Sequence, residues 1–215
     1  MVFNWLALFL LILAYLLGSL PTAVWAGRWL KGIDLRDHGS GNAGATNAIR
    51  VLGPEIGFPV LLVDALKGAA AVSMAATVHH HFASPEWYVV FQLTLGAMAI
   101  LGHLFPLFAS FRGGKGIATL VGIVIVIFPE AFLVCLGVFL LVFLSTRYVS
   151  LGSLSAAMAL PVAVIWITDQ TLISKIVFSI MVAVFVPITH KNNIRRLFTG
   201  KENRISFKKQ ARNRN

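Results

Sequence analysis

Long apolar segments are the feature that most limits what this chain can fold into. Hydrophobic residues occupy 58% of its 215 positions, charged residues occupy only 12%, and the mean hydropathy is +0.83. A helix needs about 20 apolar residues to cross roughly 30 Å of hydrocarbon, so a chain of this length has room for about seven spans. The composition therefore excludes a water-soluble domain and predicts an all-α, polytopic membrane protein.

Proline, glycine and charged residues divide the sequence into hydrophobic segments, which we predict to be seven transmembrane helices. Residues 117–146 are ambiguous, because they can be read as two short spans or as one long helix. The sequence Phe128-Pro129-Glu130 favours a turn, since proline interrupts a helix. The predicted spans are residues 3–24, 54–78, 87–105, 117–129, 130–146, 151–168 and 172–190.

Lysine and arginine are distributed unequally between the two ends of these spans. Sixteen of the 18 follow spans one, three, five and seven, whereas Lys175 alone lies at the opposite end and Lys67 lies within a span. Because basic loops remain in the cytoplasm, we predict an external N-terminus and an internal C-terminus. The net charge of +10 then reflects orientation and contact with anionic membrane lipids, not binding to nucleic acid. We predict one seven-helix domain, residues 1–200, and a basic cytoplasmic tail, residues 201–215.

The first unusual polar segment, GSGNAGATN, covers residues 39–47 and is flanked by Arg36 and Arg50. Glycine permits positive φ and close backbone approach, so successive amides can point at one acceptor. We call this segment the first glycine loop and predict that it binds an anion.

Two further polar segments are expected at the same membrane face. Residues 102–119 read GHLFPLFASFRGGKGIAT, in which Lys115 precedes the fourth span and lies near the positive end of its dipole. This is not a Walker loop, because Ala109 and Gly116 replace the glycine and the hydroxyl residue of that motif. Residues 190–196 read HKNNIRR. Each segment alone can be a glycine-rich or basic turn, but together they predict a site for two phosphates or one extended phosphorylated ligand.

The motifs GSGNAGATN, GH-x-FP with RGGKG, and H-x-x-N-I-x-R-L-x-x-G-x-E resemble those of the bacterial acyl-phosphate:glycerol-3-phosphate acyltransferase family. The resemblance covers essentially the whole chain. It implies a seven-helix enzyme of the bacterial inner membrane, with its active site at the cytoplasmic face. Such an enzyme transfers a fatty acyl group from acyl phosphate to the 1-hydroxyl of glycerol 3-phosphate in the first step of phospholipid synthesis, giving lysophosphatidic acid and phosphate. It needs no cofactor and no metal.

The resemblance and the loop chemistry together give the expected site residues. The expected catalytic residues are Ser40, Lys115, His190 and Asn193. The expected phosphate-binding residues are Ser40, Gly41, Asn42, Thr46, Asn47, Arg50, Gly113, Gly114, Lys115 and Gly116. The expected supporting residues are Asp64, Lys67 and His103. Asp64 and Lys67, three residues apart on one predicted helix, can form a bracing ion pair or contact substrate. His103 can be functional or can pack at a helix end, and His190 can act as a base or orient substrate.

The sequence offers no placed covalent nucleophile. Cys135 falls within the fifth predicted span, and Ser40 has no evident activating base. His81 and Glu86 have the spacing of an acyltransferase acid–base pair, but they fall at the opposite membrane face. We therefore predict direct acyl transfer. The alternative is a transporter of a small phosphorylated or lipid-phosphate anion, although internal repeats typical of transporters are missing.

Overall fold

The computed structural model describes residues 2–167 and 172–205, and this part of the chain forms helices and turns without a strand. Short 3₁₀ turns cover Leu35–Asp37, Met74–His81 and Leu107–Ala109. The α-helices of the described part are α1 (Val2–Gly18), α2 (Thr22–Lys31), α3 (Ala45–Leu52), α4 (Pro54–Ser73), α5 (Pro85–Leu104), α6 (Ile117–Ile127), α7 (Pro129–Thr146), α8 (Val149–Ile167), α9 (Ile173–Thr189) and α10 (Lys191–Phe198).

Proline and glycine set many of the helix ends. Helices α4, α5 and α7 each begin with proline, which has no amide hydrogen to leave unpaired in the first turn. Ser84 caps α5 by accepting from the amide of Trp87. Gly32 ends α2 with φ of +66°, a left-handed conformation that glycine adopts without strain.

The apolar helices confirm an all-α membrane protein, but they are unequal in length. Among the described residues, five helical stretches are long and apolar enough to cross a membrane, or six if α9 and α10, bent by 63°, are one span. Helix α6 has only 11 residues, which rise about 16 Å. That is roughly half the hydrocarbon thickness.

Residues 117–146 form two helices. Helix α6 ends at Ile127 and α7 begins at Pro129, with Phe128 between them in a non-helical conformation (φ −135°, ψ 55°). The Phe128 ring is fully buried and stacks on Phe178 of α9, with the ring centroids 5.9 Å apart. The break predicted from Phe128-Pro129-Glu130 therefore lies in the hydrophobic core formed by α5, α6, α8 and α9.

Helices α4 and α6 cross with their backbones in contact. A Cβ atom added to Gly68 would lie 2.0 Å from the carbonyl oxygen of Thr119, and one added to Gly122 would lie 1.8 Å from that of Ala65. Small residues allow such approach, and in lipid this packing is a main source of helix association. The crossing places Asp64 and Lys67 of α4 beside the first turns of α6.

Candidate active site

The first glycine loop is shaped by the side chain of Asn47. Its Oδ1 accepts from the amide of Ser40 at 2.9 Å, and its Nδ2 donates to the carbonyl oxygens of Leu35 and His38 at 3.1 and 3.0 Å. Gly39 has φ of +62°, and a Cβ atom there would lie 2.3 Å from Asn47 Oδ1. Both amide hydrogens of Asn47 are therefore committed to the loop, which favours a shaping role for this residue over phosphate contact.

The other expected residues of this loop line the same turn. Gly41 has φ of +71°, Asn42 is half-buried with Oδ1 close to Gly44, and Thr46 is half-buried in the first turn of α3. Ser40 is half-buried beside them, with its amide held by Asn47.

Arg36 joins the first glycine loop to the loop between α5 and α6. Its guanidinium donates to both carboxylate oxygens of Asp34 at 2.9 and 2.7 Å and to the carbonyl oxygen of Ala109 at 2.8 Å. The hydrogen bonds from Arg36 hold the pKa of the Asp34 carboxyl well below its usual range. Arg36 is thus paired within the protein, and it braces the two loops against each other.

Residues 105–116, which we call the Lys115 loop, lie on the end of α5. The amide of Gly113 donates to Leu104 and that of Gly114 to His103, each at 3.1 Å. A Cβ atom on Gly113 would lie 2.0 Å from the carbonyl oxygen of His103. These two glycines therefore permit close packing, and their amides are donated to α5 instead of facing a phosphate. Gly116 then takes φ of +78° and starts α6 immediately after Lys115.

Lys115 meets the end of the bundle through a chain of side-chain hydrogen bonds. Its Nζ donates to Oδ1 of Asn193, whose Nδ2 donates to Glu202 Oε1 at 2.7 Å. Arg196 Nε donates to Glu202 Oε2 at 2.8 Å, and Ser150 Oγ donates to Glu202 Oε1 at 2.8 Å. We call Arg50, Lys115, Asn193, Arg196 and Glu202 the basic cluster. Since Lys115 and Asn193 are 78 positions apart, the fold alone brings them together.

The basic cluster holds more positive than negative charge. Burial lowers the pKa of Lys115 to about 8; Glu202 opposes this change, while Arg196 and Arg50 add to it. Burial also lowers the pKa of Arg50, whose guanidinium makes no hydrogen bond within the described part of the chain. Burial would raise the pKa of Glu202, but hydrogen bonds from Arg196, Asn193 and Ser150 outweigh it and lower the value. One carboxylate therefore faces three cations, an arrangement that attracts anions.

His190 is buried at the junction of α9 and α10. Its Nδ1 lies 2.9 Å from the carbonyl oxygen of Val186. Because a carbonyl can only accept, Nδ1 donates to Val186. In the neutral ring Nε2 then keeps a lone pair and can accept a proton.

Asp64, Lys67 and His103 lie in a second polar group, buried inside the bundle. Lys67 Nζ is 2.6 Å from Asp64 Oδ1 and donates to the carbonyl oxygen of Leu20 at 2.7 Å. Thr22 Oγ1 donates to the same carboxylate oxygen at 2.5 Å, and His103 Nδ1 lies 3.8 Å from it. His103 Nδ1 is also 3.3 Å from the hydroxyl of Thr119. We call Thr22, Asp64, Lys67, His103 and Thr119 the Asp64 cluster; its geometry is that of a bracing ion pair.

Several residues of the site were not selected from the sequence. Arg196 and Glu202 are letters of the third motif, so the signal for them was present. Ser150 and Thr22 carry no such signal, because a hydroxyl residue in an apolar helix is common.

Residues 201–205 also return to the bundle: Ile205 donates its amide to Arg147 at 3.1 Å, and Arg204 stacks over Tyr148. The packed structure thus extends beyond residue 200, and residues 206–215 of the predicted tail lie outside the described residues. No grouping of metal-ligating side chains occurs in the described part of the chain.

Comparison with known proteins adds an independent line of information. A family model described as glycerol-3-phosphate acyltransferase matches residues 8–200. Glycerol-3-phosphate acyltransferases of Chlorobium phaeobacteroides (strain BS1) and Chlorobaculum tepidum are 42% and 41% identical to the chain, each alignment covering 92% of this chain and 96% of the relative.

Two crystal structures of PlsY, an integral membrane glycerol 3-phosphate acyltransferase, are similar in fold and sequence. The glycerol 3-phosphate form gives a TM-score of 0.80 and the lysophosphatidic acid form gives 0.78, both at 38% identity. The alignments cover 93% of this chain and 96% and 95% of those chains.

Proposed function

This chain belongs to the glycerol-3-phosphate acyltransferase family, and on that basis we propose that it transfers a fatty acyl group from acyl phosphate to the 1-hydroxyl of glycerol 3-phosphate. The products are lysophosphatidic acid and inorganic phosphate. The observation that carries the proposal is the basic cluster, which unites cations from three distant segments at one end of the bundle. The glycerol 3-phosphate and lysophosphatidic acid forms of PlsY support this acceptor and this product.

Acyl phosphate as the donor fits the chemistry of the basic cluster. The donor is a mixed anhydride with a good leaving group, so the enzyme mainly has to hold two like-charged ligands together and stabilise the developing oxyanion. Arg50 can bind a phosphate through two parallel hydrogen bonds, whereas Lys115 acts as a point charge. Arg50 and Lys115 can therefore both hold the two like-charged ligands and stabilise the oxyanion.

We propose direct transfer within a ternary complex. The 1-hydroxyl oxygen attacks the acyl carbonyl carbon while Nε2 of His190 accepts the hydroxyl proton. The tetrahedral intermediate then collapses, the bond between the carbonyl carbon and the phosphate oxygen breaks, and phosphate leaves with its electron pair. Lys115 and Arg50 stabilise the negative charge throughout. Asn193 orients Lys115, since both ends of its amide are held within the cluster.

We propose seven membrane crossings, with the N-terminus outside and the active site at the cytoplasmic face of a bacterial inner membrane. The contacts Lys115 to Asn193, Ser150 to Glu202 and Arg147 to Ile205 bring the segments after α5, α7 and α9 to one end. Between Lys115 and Arg147 the chain leaves that end and returns, so α6 and α7 run in opposite directions, and α6, with 11 residues, is the shortest of the seven proposed crossings. The basic residues concentrated at this end favour the cytoplasmic side.

A phosphate-release assay tests the function. Protein purified in detergent should release phosphate from palmitoyl phosphate only with glycerol 3-phosphate present, and it should form an equal amount of lysophosphatidic acid. Lysophosphatidic acid formed from palmitoyl-CoA but not from palmitoyl phosphate would refute the donor. Absence of product with either donor would refute the function.

A further inference from the structure

The Asp64 cluster joins four parts of the fold: the break between α1 and α2, helix α4, the end of α5 and the start of α6. Helices α1 and α2 are separated at Ser19–Pro21, and Lys67 reaches into this break to donate to Leu20. Asp64 accepts from Lys67 and Thr22, so it joins α4 to the start of α2. His103 and Thr119 add the end of α5 and the first turn of α6.

The cluster is buried except for the partly exposed Thr22, and its charges are balanced. Asp64 and Lys67 are 0% and 4% exposed, and His103 and Thr119 are 7% and 0% exposed. One carboxylate pairs with one ammonium, so the cluster offers no excess charge to an anionic substrate. Removing one partner of such a pair leaves an unpaired charge in an apolar surrounding, which is costly.

The cluster reaches the active site through Gly114, the residue before Lys115. A Cβ atom on Gly114 would lie 2.3 Å from Nε2 of His103 and 3.0 Å from the carbonyl oxygen of Ala43 in the first glycine loop. The His103 ring and the first glycine loop thus both pack against the Cα atom of Gly114.

This junction has little room for movement. The space left between Thr22, Ala43, His103 and Gly114 is a cavity of about 10 Å³, close to the volume that one water molecule needs. A shift of the His103 ring is therefore transmitted to Gly114, and through it to Lys115.

We propose that the Asp64 cluster is a positioning unit that fixes the Lys115 loop against the first glycine loop through the contact between the His103 ring and Gly114. The proposal rests on the acyl transfer proposed above. The cluster touches neither substrate; it sets the relative position of Lys115 and the loop that precedes Arg50. Misplacement of reacting groups by about 1 Å can cost two orders of magnitude in rate.

Epistasis between Gly114 and His103 tests this inference. Gly114→Ala should lower kcat/KM by about 100-fold and His103→Ala by about tenfold, in assays with palmitoyl phosphate and glycerol 3-phosphate. If the contact transmits position, removing the ring relieves the clash, and the double variant should be more active than Gly114→Ala alone. A double variant no more active than Gly114→Ala overturns the proposal. If the wild type itself forms no lysophosphatidic acid, the proposed function fails instead.

A gentler variant gives a second readout if either substitution prevents folding. Thr22→Val removes one donor to Asp64 at nearly constant volume, whereas Thr22→Ser keeps the hydroxyl. Thr94→Val is the matched control, because the Thr94 hydroxyl donates to Val90 of its own helix. We expect Thr22→Val to lower kcat several-fold, with both KM values within about twofold of wild type because the cations are untouched. Thr22→Ser and Thr94→Val should match wild type.

Measuring both kcat and the melting temperature distinguishes a positioning role from a purely structural one. A Thr22→Val variant that has a lower melting temperature but an unchanged kcat would overturn the proposal. A Thr22→Val variant that cannot be distinguished from Thr94→Val would do the same.

Discussion

The basic cluster and the Asp64 cluster both contain cationic and carboxylate side chains, but they differ in charge balance. In the Asp64 cluster each charge has its counter-ion and both are buried. In the basic cluster, Glu202 is the one carboxylate among the described residues near Arg50, Lys115 and Arg196, and every member except the buried Asn193 is partly open to solvent. The difference indicates which group is complete by itself and which is completed by a ligand.

Burial has a different consequence in each cluster. Buried charges that are paired with each other inside a membrane protein stabilise one arrangement of helices, because a rearrangement would separate the two charges. Unbalanced cations at the end of the bundle destabilise the empty protein slightly and favour the anion-bound form. Variants of the two clusters should therefore affect different measurements.

The largest effect is expected on stability, in the Asp64 cluster. Asp64→Asn or Lys67→Met alone leaves a buried charge without its partner and should cost about 3–5 kcal/mol of unfolding free energy. The double variant should cost less than the sum of the two single losses. Thermal unfolding in detergent measures this, with Glu55→Gln at the exposed start of α4 as the control. Additive losses would mean that the two charges are not coupled.

Variants of the basic cluster should lose activity but keep their stability. Lys115→Met should reduce kcat/KM by about 100- to 1000-fold, the usual cost of removing one charge-stabilising donor. Its melting temperature should stay near that of wild type, because the Lys115 charge is not held by a carboxylate partner. A large fall in melting temperature with little loss of activity would reverse the assignments of the two clusters.

The pH dependence sharpens the comparison, because Lys115 loses its charge as pH rises. Its pKa is lowered from 10.5 to about 8, so kcat/KM should fall as pH rises through about 8. Bound phosphate favours the charged amine, so the corresponding fall in kcat should come at higher pH. Arginine stays charged throughout the pH range of the assay, so Lys115→Arg should lack this alkaline fall. An unchanged profile in that variant would assign the titration to another group.

The smallest effects are expected at the opposite end of the bundle. Lys175 lies over the Phe128 ring, and Glu86 accepts from the amide of Ser174 at 2.8 Å, near the start of α9. Lys175→Met and His80→Ala should leave kcat/KM within about twofold of wild type, as surface substitutions usually do. A loss comparable to that of Lys115→Met would place substrate chemistry at this end.

Much of the fold follows from local sequence, since apolar length, proline and glycine act over short distances. The predicted segments recur as helices, except that the first is broken at residues 19–21 and the second ends its α-helix at Ser73; the predicted break before Pro129 is present. The length of α6 was not foreseen, because an apolar run does not reveal where a helix stops short of the membrane thickness.

The sequence predicts which residue types form the site, but it does not predict which of them bond to one another. GSGNAGATN predicts a tight polar turn. The sequence cannot show that the Asn47 side-chain amide donates to the carbonyl oxygens of Leu35 and His38. Likewise RGGKG predicts a glycine loop, whereas the donation of the Gly113 and Gly114 amides to α5 depends on tertiary packing. Glu202 was missed because its position after α10 reads as a tail, and only the fold returns it to Asn193.

Initial-rate kinetics with both substrates varied test the central claim, direct acyl transfer at the basic cluster, most directly. With palmitoyl phosphate and glycerol 3-phosphate, the account predicts intersecting double-reciprocal lines, because both ligands must be bound together. Protein mixed with radiolabelled palmitoyl phosphate and denatured before acceptor is added should carry no label. Parallel lines, with label retained on the denatured protein, would show an acyl-enzyme and contradict direct transfer.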